Sequence, residues 1–405
     1  MQTLISRALG SIALRTLAVT VFLSLLSPSI APAHAIGTRA RVVRPPLMVG
    51  TMPERNSVAY FRPRHVATSS LLTDRRGDTA PSSTYFKITN ITAEVGGLTG
   101  SAAAVNNDGR IGYTDFGNQE DIPGTAYVVN NGGTFAQLYG PFDPGFDCEF
   151  SELTVTALNE NAEAVGSWSC GNGPGFIGWL LSGANYSSIS FYDQSGQESN
   201  AYAVNDHDVA VGCSGPCYTG ATGSAIVVEK SGSTGRTIPL RGFKGAKCLT
   251  TATSINDAGS IVGSACDEAV RFSTSGYAQP LGLGRGSAAE AVNQHGDIVG
   301  SAGSSAFLER DGRTLRLPKP APYGRDSAIA YAVNSTDEVV GTLYGPTGAV
   351  AFIYTGGHVY ALDSLLPPHS GWQIADALGV NDHGEIVGDG YYNGTLYGIA
   401  LKPPR

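Results

Sequence analysis

Seven stretches of the chain repeat one arrangement of small, aliphatic and polar positions: Ala102–Tyr113, Val155–Gly166, Ala201–Gly212, Ala252–Gly263, Ala289–Gly300, Ala330–Gly341 and Ala377–Gly388. Each is centred on an asparagine (Asn106, Asn159, Asn205, Asn256, Asn293, Asn334 and Asn381), with 37 to 53 residues from one to the next. An aliphatic residue precedes every asparagine, a small residue stands two before it, and the position four before is alanine in all copies but Val155. Alternate positions of a strand share a face, so this pattern predicts a strand whose small face meets a neighbour at close range. The asparagine, with a residue three later able to take positive φ, predicts a type I turn closing a hairpin. That residue is Gly109, Gly259, Gly296 or Gly384 in four copies, and Ala162, Asp208 or Asp337 in the others. A second strand follows, as in Ile298-Val299-Gly300; copy one reads one residue short there, at Ile111-Gly112-Tyr113.

Two more strands complete each unit. A short apolar stretch follows every hairpin, for example Ala269 to Phe272, Ala351 to Tyr354 and Tyr397 to Leu401, and six units then show a fourth, such as Thr314 to Leu317. The seventh lacks its fourth strand, and Tyr85 to Ile91, ahead of the first hairpin, has no hairpin of its own. Seven units, the last completed by the first strand, are what a closed ring requires, and closure removes open sheet edges. The expected fold of 84–405 is therefore an all-β, seven-bladed β-propeller of four-stranded antiparallel blades, closed by pairing of its terminal strands. An open solenoid would need distinct capping repeats, and the ends show none.

The combined motif, an Ala-Phe-aliphatic strand followed by Ala-x-Ala-Val-Asn-x-x-Gly-x-Ile-Val-Gly, is best seen in Ser305-Ala306-Phe307-Leu308 and Ala289 to Gly300. It resembles the HAF family of extracellular repeats over nearly all of 84–405. What that resemblance implies is secretion and a repeat fold, not an activity.

The N-terminus changes the picture of compartment. Arg7 and Arg15 precede an apolar run from Leu17 to Leu26, and Ala33-His34-Ala35 follows. This order predicts a secretory signal over 1–35, cleaved to leave Ile36 first; the run is too short to span a bilayer. Residues 36–83 form an Arg-bearing leader without periodicity, expected to be disordered. With a net charge of −8 and arginine concentrated before residue 80, the remaining body is strongly acidic. That argues against nucleic acid and anionic membrane surfaces as main partners; no later stretch is apolar enough to insert into a membrane, and a monomer is expected.

Candidate chemistry is sparse. The seven asparagines read as turn formers. His207, His295 and His383 share a turn position but lie on alternate repeats, too far apart for one metal ion. No metal or cofactor is expected, and no catalytic signature stands in the chain. Six cysteines in an exported chain predict disulfides, and the hairpin register selects Cys148–Cys170, Cys213–Cys217 and Cys248–Cys266, all at the end opposite the asparagine turns. The longer loops gather at that end, with aromatic and acidic residues such as Tyr323, Asp326, Asp143 and Asp147. Function is expected there: a ligand-binding or interaction module for an extracellular glycan, peptide or protein, using Trp372, Tyr391, Tyr392 and Asp389. The alternatives are a polysaccharide hydrolase or lyase using loop carboxylates such as Asp143 and Asp147, and a structural envelope or matrix component.

Overall fold

The computed structural model describes residues 85–404, except 118–124, 131–132, 139–150, 171–176, 183–186, 191–198, 216–222, 232–233 and 347. The signal segment 1–35 and the leader 36–83 lie outside the described residues.

Antiparallel hairpins dominate, and they assemble into seven four-stranded sheets. The first holds β2 (Gly100–Val105), β3 (Ile111–Asp115), β4 (Thr125–Val129) and β5 (Phe135–Leu138). The second holds β6 (Ser151–Leu158), β7 (Ala164–Cys170), β8 (Ile177–Ser182) and β9 (Ser187–Ser190), and the third β10 (Ser199–Val204), β11 (Val209–Ser214), β12 (Ser224–Ser231) and β13 (Thr234–Pro239). The fourth runs through β14 (Thr250–Ile255), β15 (Ile261–Ala265), β16 (Glu268–Phe272) and β17 (Ala278–Arg285). The fifth comprises β18 (Ser287–Val292), β19 (Ile298–Ala302), β20 (Ser305–Arg310) and β21 (Arg313–Arg316). The sixth comprises β22 (Ser327–Val333), β23 (Val339–Gly345), β24 (Gly348–Thr355) and β25 (His358–Ala361). The last has β26 (Trp372–Val380), β27 (Ile386–Tyr392) and β28 (Thr395–Lys402), with β1 (Lys87–Asn90) as its fourth strand.

This is an all-β propeller with four-stranded antiparallel blades. The first strands touch in order, β2 with β6, β6 with β10, and so on, and β26 also touches β2. The core is a set of seams between neighbouring sheets. Between the fifth and sixth, Val299 and Leu308 pack on Ala330, Val339 and Phe352. Between the seventh and first, Val387 and Ala400 pack on Ala102, Ile111 and Val129. Each fully buried Phe or Leu in such a seam contributes about 1.5–3 kcal/mol.

The turns explain why the asparagine recurs. Three residues after it, Gly109, Ala162, Asp208, Gly259, Gly296, Asp337 and Gly384 all have positive φ, between 60° and 89°. In each copy the asparagine Oδ1 accepts from the backbone N–H four residues on, at 2.8–3.0 Å. Each asparagine also does something local reasoning does not show. Its Nδ2 donates to the backbone carbonyl of the next copy's asparagine at 2.9–3.2 Å, from Asn106 through to Asn334 and Asn381, and Asn381 donates back to Asn106. All seven side chains are buried, where an unmade bond is costly. A second set of bonds runs beside the first, one residue later: Glu160 N–H to Asp206, Asp206 N–H to Asp257, Ser335 N–H to Asp382, and Asp382 N–H to Asn107.

Three sequence expectations need correction. The small residues two and four before each asparagine do not share a face, because every first strand carries a bulge between them. Ala289 and Ala291 oppose consecutive residues, Gly300 and Val299. Cross-strand partners share a face, so Ala289 serves the seam toward the fourth sheet and Ala291 the seam toward the sixth. The bulge also explains the glycine that ends the motif: a Cβ on Gly300 would overlap the Ala288 carbonyl. Copy one is not a residue short. Ala102 pairs with Tyr113 as Ala289 pairs with Gly300, so Tyr113 occupies the glycine position, fully buried, its hydroxyl on Thr92 Oγ1 at 2.9 Å. Finally, the strand expected over Tyr85 to Ile91 is confined to β1. Asn90 accepts from Ala93 N–H (3.0 Å) and caps a short helix, α1 (Ile91–Val95), which ends at Gly96 with φ 77°.

Candidate functional site

Trp372 opens β26 at the end of the sheets opposite the asparagine turns, and its cross-strand partner is Tyr392. Their ring centroids lie 5.1 Å apart with planes tilted by 35°, and Tyr397 meets Trp372 edge-on at 5.9 Å. Trp372 is half-buried, while Tyr392 keeps 39% of its surface exposed. Gly371, at φ 78°, turns the chain into β26; a Cβ there would lie 3.0 Å from the Tyr392 ring. Tyr391 is equally exposed but pairs with Gln373, so it projects from the opposite face of the sheet. The structure thus brings Trp372 and Tyr392 together and separates Tyr391 from them.

Asp363 steadies this corner. Its Oδ1 accepts from Ile374 N–H at 2.7 Å, two residues into the strand that Trp372 begins. Desolvation pushes its carboxyl up to about 6, against the lowering effect of that bond. The Tyr323 phenol is raised by desolvation and then by the negative charges of Asp363 and Asp326. Asp326 N–H donates to the Tyr323 carbonyl at 3.0 Å, which folds that loop on itself.

Asp389 is placed elsewhere, which corrects its assignment to the ligand surface. It is 2% exposed and lies opposite the fully buried Asp376 on the adjacent strand. Asp376 accepts from Thr342 Oγ1 (3.0 Å) and from the Tyr344 hydroxyl (3.4 Å), and Tyr344 is hydrogen-bonded to Tyr331 at 2.6 Å. Burial, then Tyr344, Glu290 and Asp376 in turn, raise the Tyr331 phenol. Burial raises the Tyr113 phenol, opposed by its bond to Thr92 and reinforced by the charges of Asp115 and Asp389. Asp389 therefore belongs to the buried polar interior, opposite Asp376, to which Thr342 and Tyr344 of the sixth sheet are bonded. The sequence carried one sign of it: in Ala-x-Ala-Val-Asn the x position holds Glu290 and Tyr331, large polar residues between small ones.

Cys248 and Cys266 form a disulfide with Cα atoms 5.1 Å apart. It joins the segment before β14 to the residue after β15 and closes a loop of sequence separation 18. Replacing both cysteines by serine is expected to lower stability by about 3 kcal/mol, read as a lower denaturation midpoint under non-reducing conditions. Cys213 is buried and disulfide-bonded. Cys217 and Cys148 lie outside the described residues, as do Asp143 and Asp147, and Cys170 is described only as the last residue of β7. The amides of His207, His295 and His383 donate to the Oδ1 of the asparagine two residues earlier, a part in the turn. Among the described residues no group of three or more His, Cys, Asp or Glu is arranged to hold a metal ion, and no helix is long and apolar enough to cross a membrane.

No protein-family model matches this chain, and no curated protein matches it. Among solved structures, a chain of the mitotic checkpoint complex is similar over 84% of this chain and 99% of its own, at 9% identity and TM-score 0.48. A gluconolactonase of Xanthomonas campestris is similar over 82% of this chain and 99% of its own, at 12% identity and TM-score 0.35. An alpha-L-arabinanase of Penicillium chrysogenum covers 78% of this chain and 96% of its own, at 8% identity and TM-score 0.35. Similarity at this level transfers neither activity nor ligand.

Proposed function

We propose that this chain is an exported HAF-type repeat protein whose seven sheets close into one ring, and that it is a binding module for an extracellular glycan, peptide or protein. The observation that carries the binding reading is the partly exposed Trp372–Tyr392 ring pair, held at the end of the blades where the chain has loops to spare. Such rings give an apolar stacking surface with polar edges, and Asp363, bonded to Ile374 N–H, supplies a carboxylate nearby. The asparagine end is a poorer candidate, since its side chains are committed to turns and to bonds between copies. The seventh sheet, built from β1 and β26 to β28, supports the closed ring, and the Cys248–Cys266 disulfide is in keeping with export.

The test is a glycan and peptide array probed with the chain beginning at Ile36, followed by titration of hits. Trp372→Ala is expected to weaken binding of a hit by the folded protein about tenfold or more, from loss of a stacking surface. Unchanged affinity in Trp372→Ala and Tyr392→Ala would remove this face as the binding site. Turnover of an array hit would favour the hydrolase or lyase reading instead.

A further inference from the structure

Glu290 is the extra residue of the bulge in β18, between Ala289 and Ala291. It is 5% exposed, and neither carboxyl oxygen has a hydrogen-bond partner. A buried acid without a partner is rare enough to demand a reason. The equivalent position in two other copies supplies one. Thr156 Oγ1 donates to the Ala201 carbonyl and Thr253 Oγ1 to the Ala289 carbonyl, both at 2.7 Å, and each bond crosses from one sheet to the next. In both cases the acceptor is the residue four before the following asparagine; for Glu290 that residue is Ala330.

We propose that Glu290 is a proton-operated latch between the fifth and sixth sheets. Protonated, its carboxyl can donate to the Ala330 carbonyl as the two threonine hydroxyls do to theirs. When it releases its proton to solvent it has nothing to donate, and it becomes a buried charge against the negative end of a carbonyl. Its neighbours do little to hold that charge. Of the strands packed on β18, β14, β15 and β19 bring no titratable side chain. β16 brings Glu268 and Arg271, and Arg271 is directed to the Gly296 carbonyl (3.2 Å) and Glu309 (3.7 Å). β22 brings Tyr331, whose hydroxyl is held by Tyr344 with Asp376 beyond it.

Burial accordingly pushes the Glu290 carboxyl from 4.5 up to about 8. The folded-state value is raised above the unfolded one. The contribution to stability is therefore complete below about 4.5 and is lost as pH rises through about 8. The experiment is denaturant unfolding of the full chain from about pH 5 to pH 9 for the parent, Glu290→Gln and Glu290→Thr. The parent midpoint is expected to fall across this range relative to both variants, neither of which has a proton to lose. Amide exchange at pH 9 is expected to be faster in β18 and β22 of the parent than in the variants. Difference infrared spectroscopy of the parent against Glu290→Gln isolates the group: a protonated carboxyl band present in the parent alone at neutral pH, lost on raising it above about 8. Parallel pH profiles for the three proteins, or no protonated carboxyl band in the parent at pH 7 beyond that of Glu290→Gln, would overturn the latch.

Discussion

A chain that stops after Gly394 is expected to lose the cooperative unfolding transition of the full chain and to aggregate. The missing strand, β28, is an inner member of the seventh sheet, paired to β27 on one side and β1 on the other. It carries Ile399, Ala400 and Leu401, exposed by only 1%, 3% and 1%. Gly398 N–H donates to the buried Thr92 Oγ1 at 2.9 Å, and the Lys402 ammonium reaches Glu385 at 3.0 Å. Burial of Ile399 and Leu401 alone contributes about 3–6 kcal/mol, comparable with the whole stability of many domains, about 5–15 kcal/mol. The truncation also strands β1 and bares the edge of β27, and bare edges invite pairing between chains. Circular dichroism melts with size-exclusion chromatography decide it. A truncated chain that stays monodisperse and melts cooperatively at the parent temperature would show that the seventh sheet does not hold the fold together.

Asn293→Ala is expected to destabilise by about 3–4 kcal/mol, with buried bonds lost on both sides of the side chain. Oδ1 accepts from the N–H groups of His295 (3.0 Å) and Asp297 (2.9 Å), while Nδ2 donates to the Asn334 carbonyl (3.0 Å) and to Asp297 Oδ2 (3.1 Å). Asn293→Asp separates the two roles. It keeps the acceptors that form the turn but sets a carboxylate against a carbonyl oxygen and against the Asp297 carboxylate, which Arg310 already engages at 3.0 Å. At neutral pH it should therefore be at least as damaging as alanine, although it is nearly isosteric and a good turn former in its own right. If the asparagine served the turn alone, aspartate would restore most of the stability that alanine loses. Denaturant midpoints of the two variants distinguish these outcomes.

The legible parts of this protein are those decided by interactions a few residues apart. The turn at Asn293 depends on its own side chain and on the residue three later, and all seven such residues have the positive φ that the pattern called for. Strand number per repeat follows from period-2 runs between turns, and the unit short of a strand could be matched with an unclaimed strand before the first hairpin. Trp372 and Tyr392 were recognisable as loop-end aromatics, and their contact follows from hairpin register.

What escaped the sequence involves partners far along the chain. Nothing in a hairpin motif says that Asn381 Nδ2 reaches a carbonyl 275 positions away. Asp389 and Tyr391 both looked available as neighbours on one strand, yet the first is buried and the second exposed. The repeated bulge was hidden because an extra residue leaves no compositional mark; it puts Ala289 and Ala291 into different seams where strict alternation would have joined them. Hairpins, their turns and the assignment of strands to repeats are written in the local chain, since these rest on backbone preferences and side-chain bonds that close within a few residues. Which carboxylates are buried, which aromatics meet, and where each asparagine sends its second bond come from the packed fold, because burial and hydrogen bonding between sheets exist only once neighbouring sheets have packed.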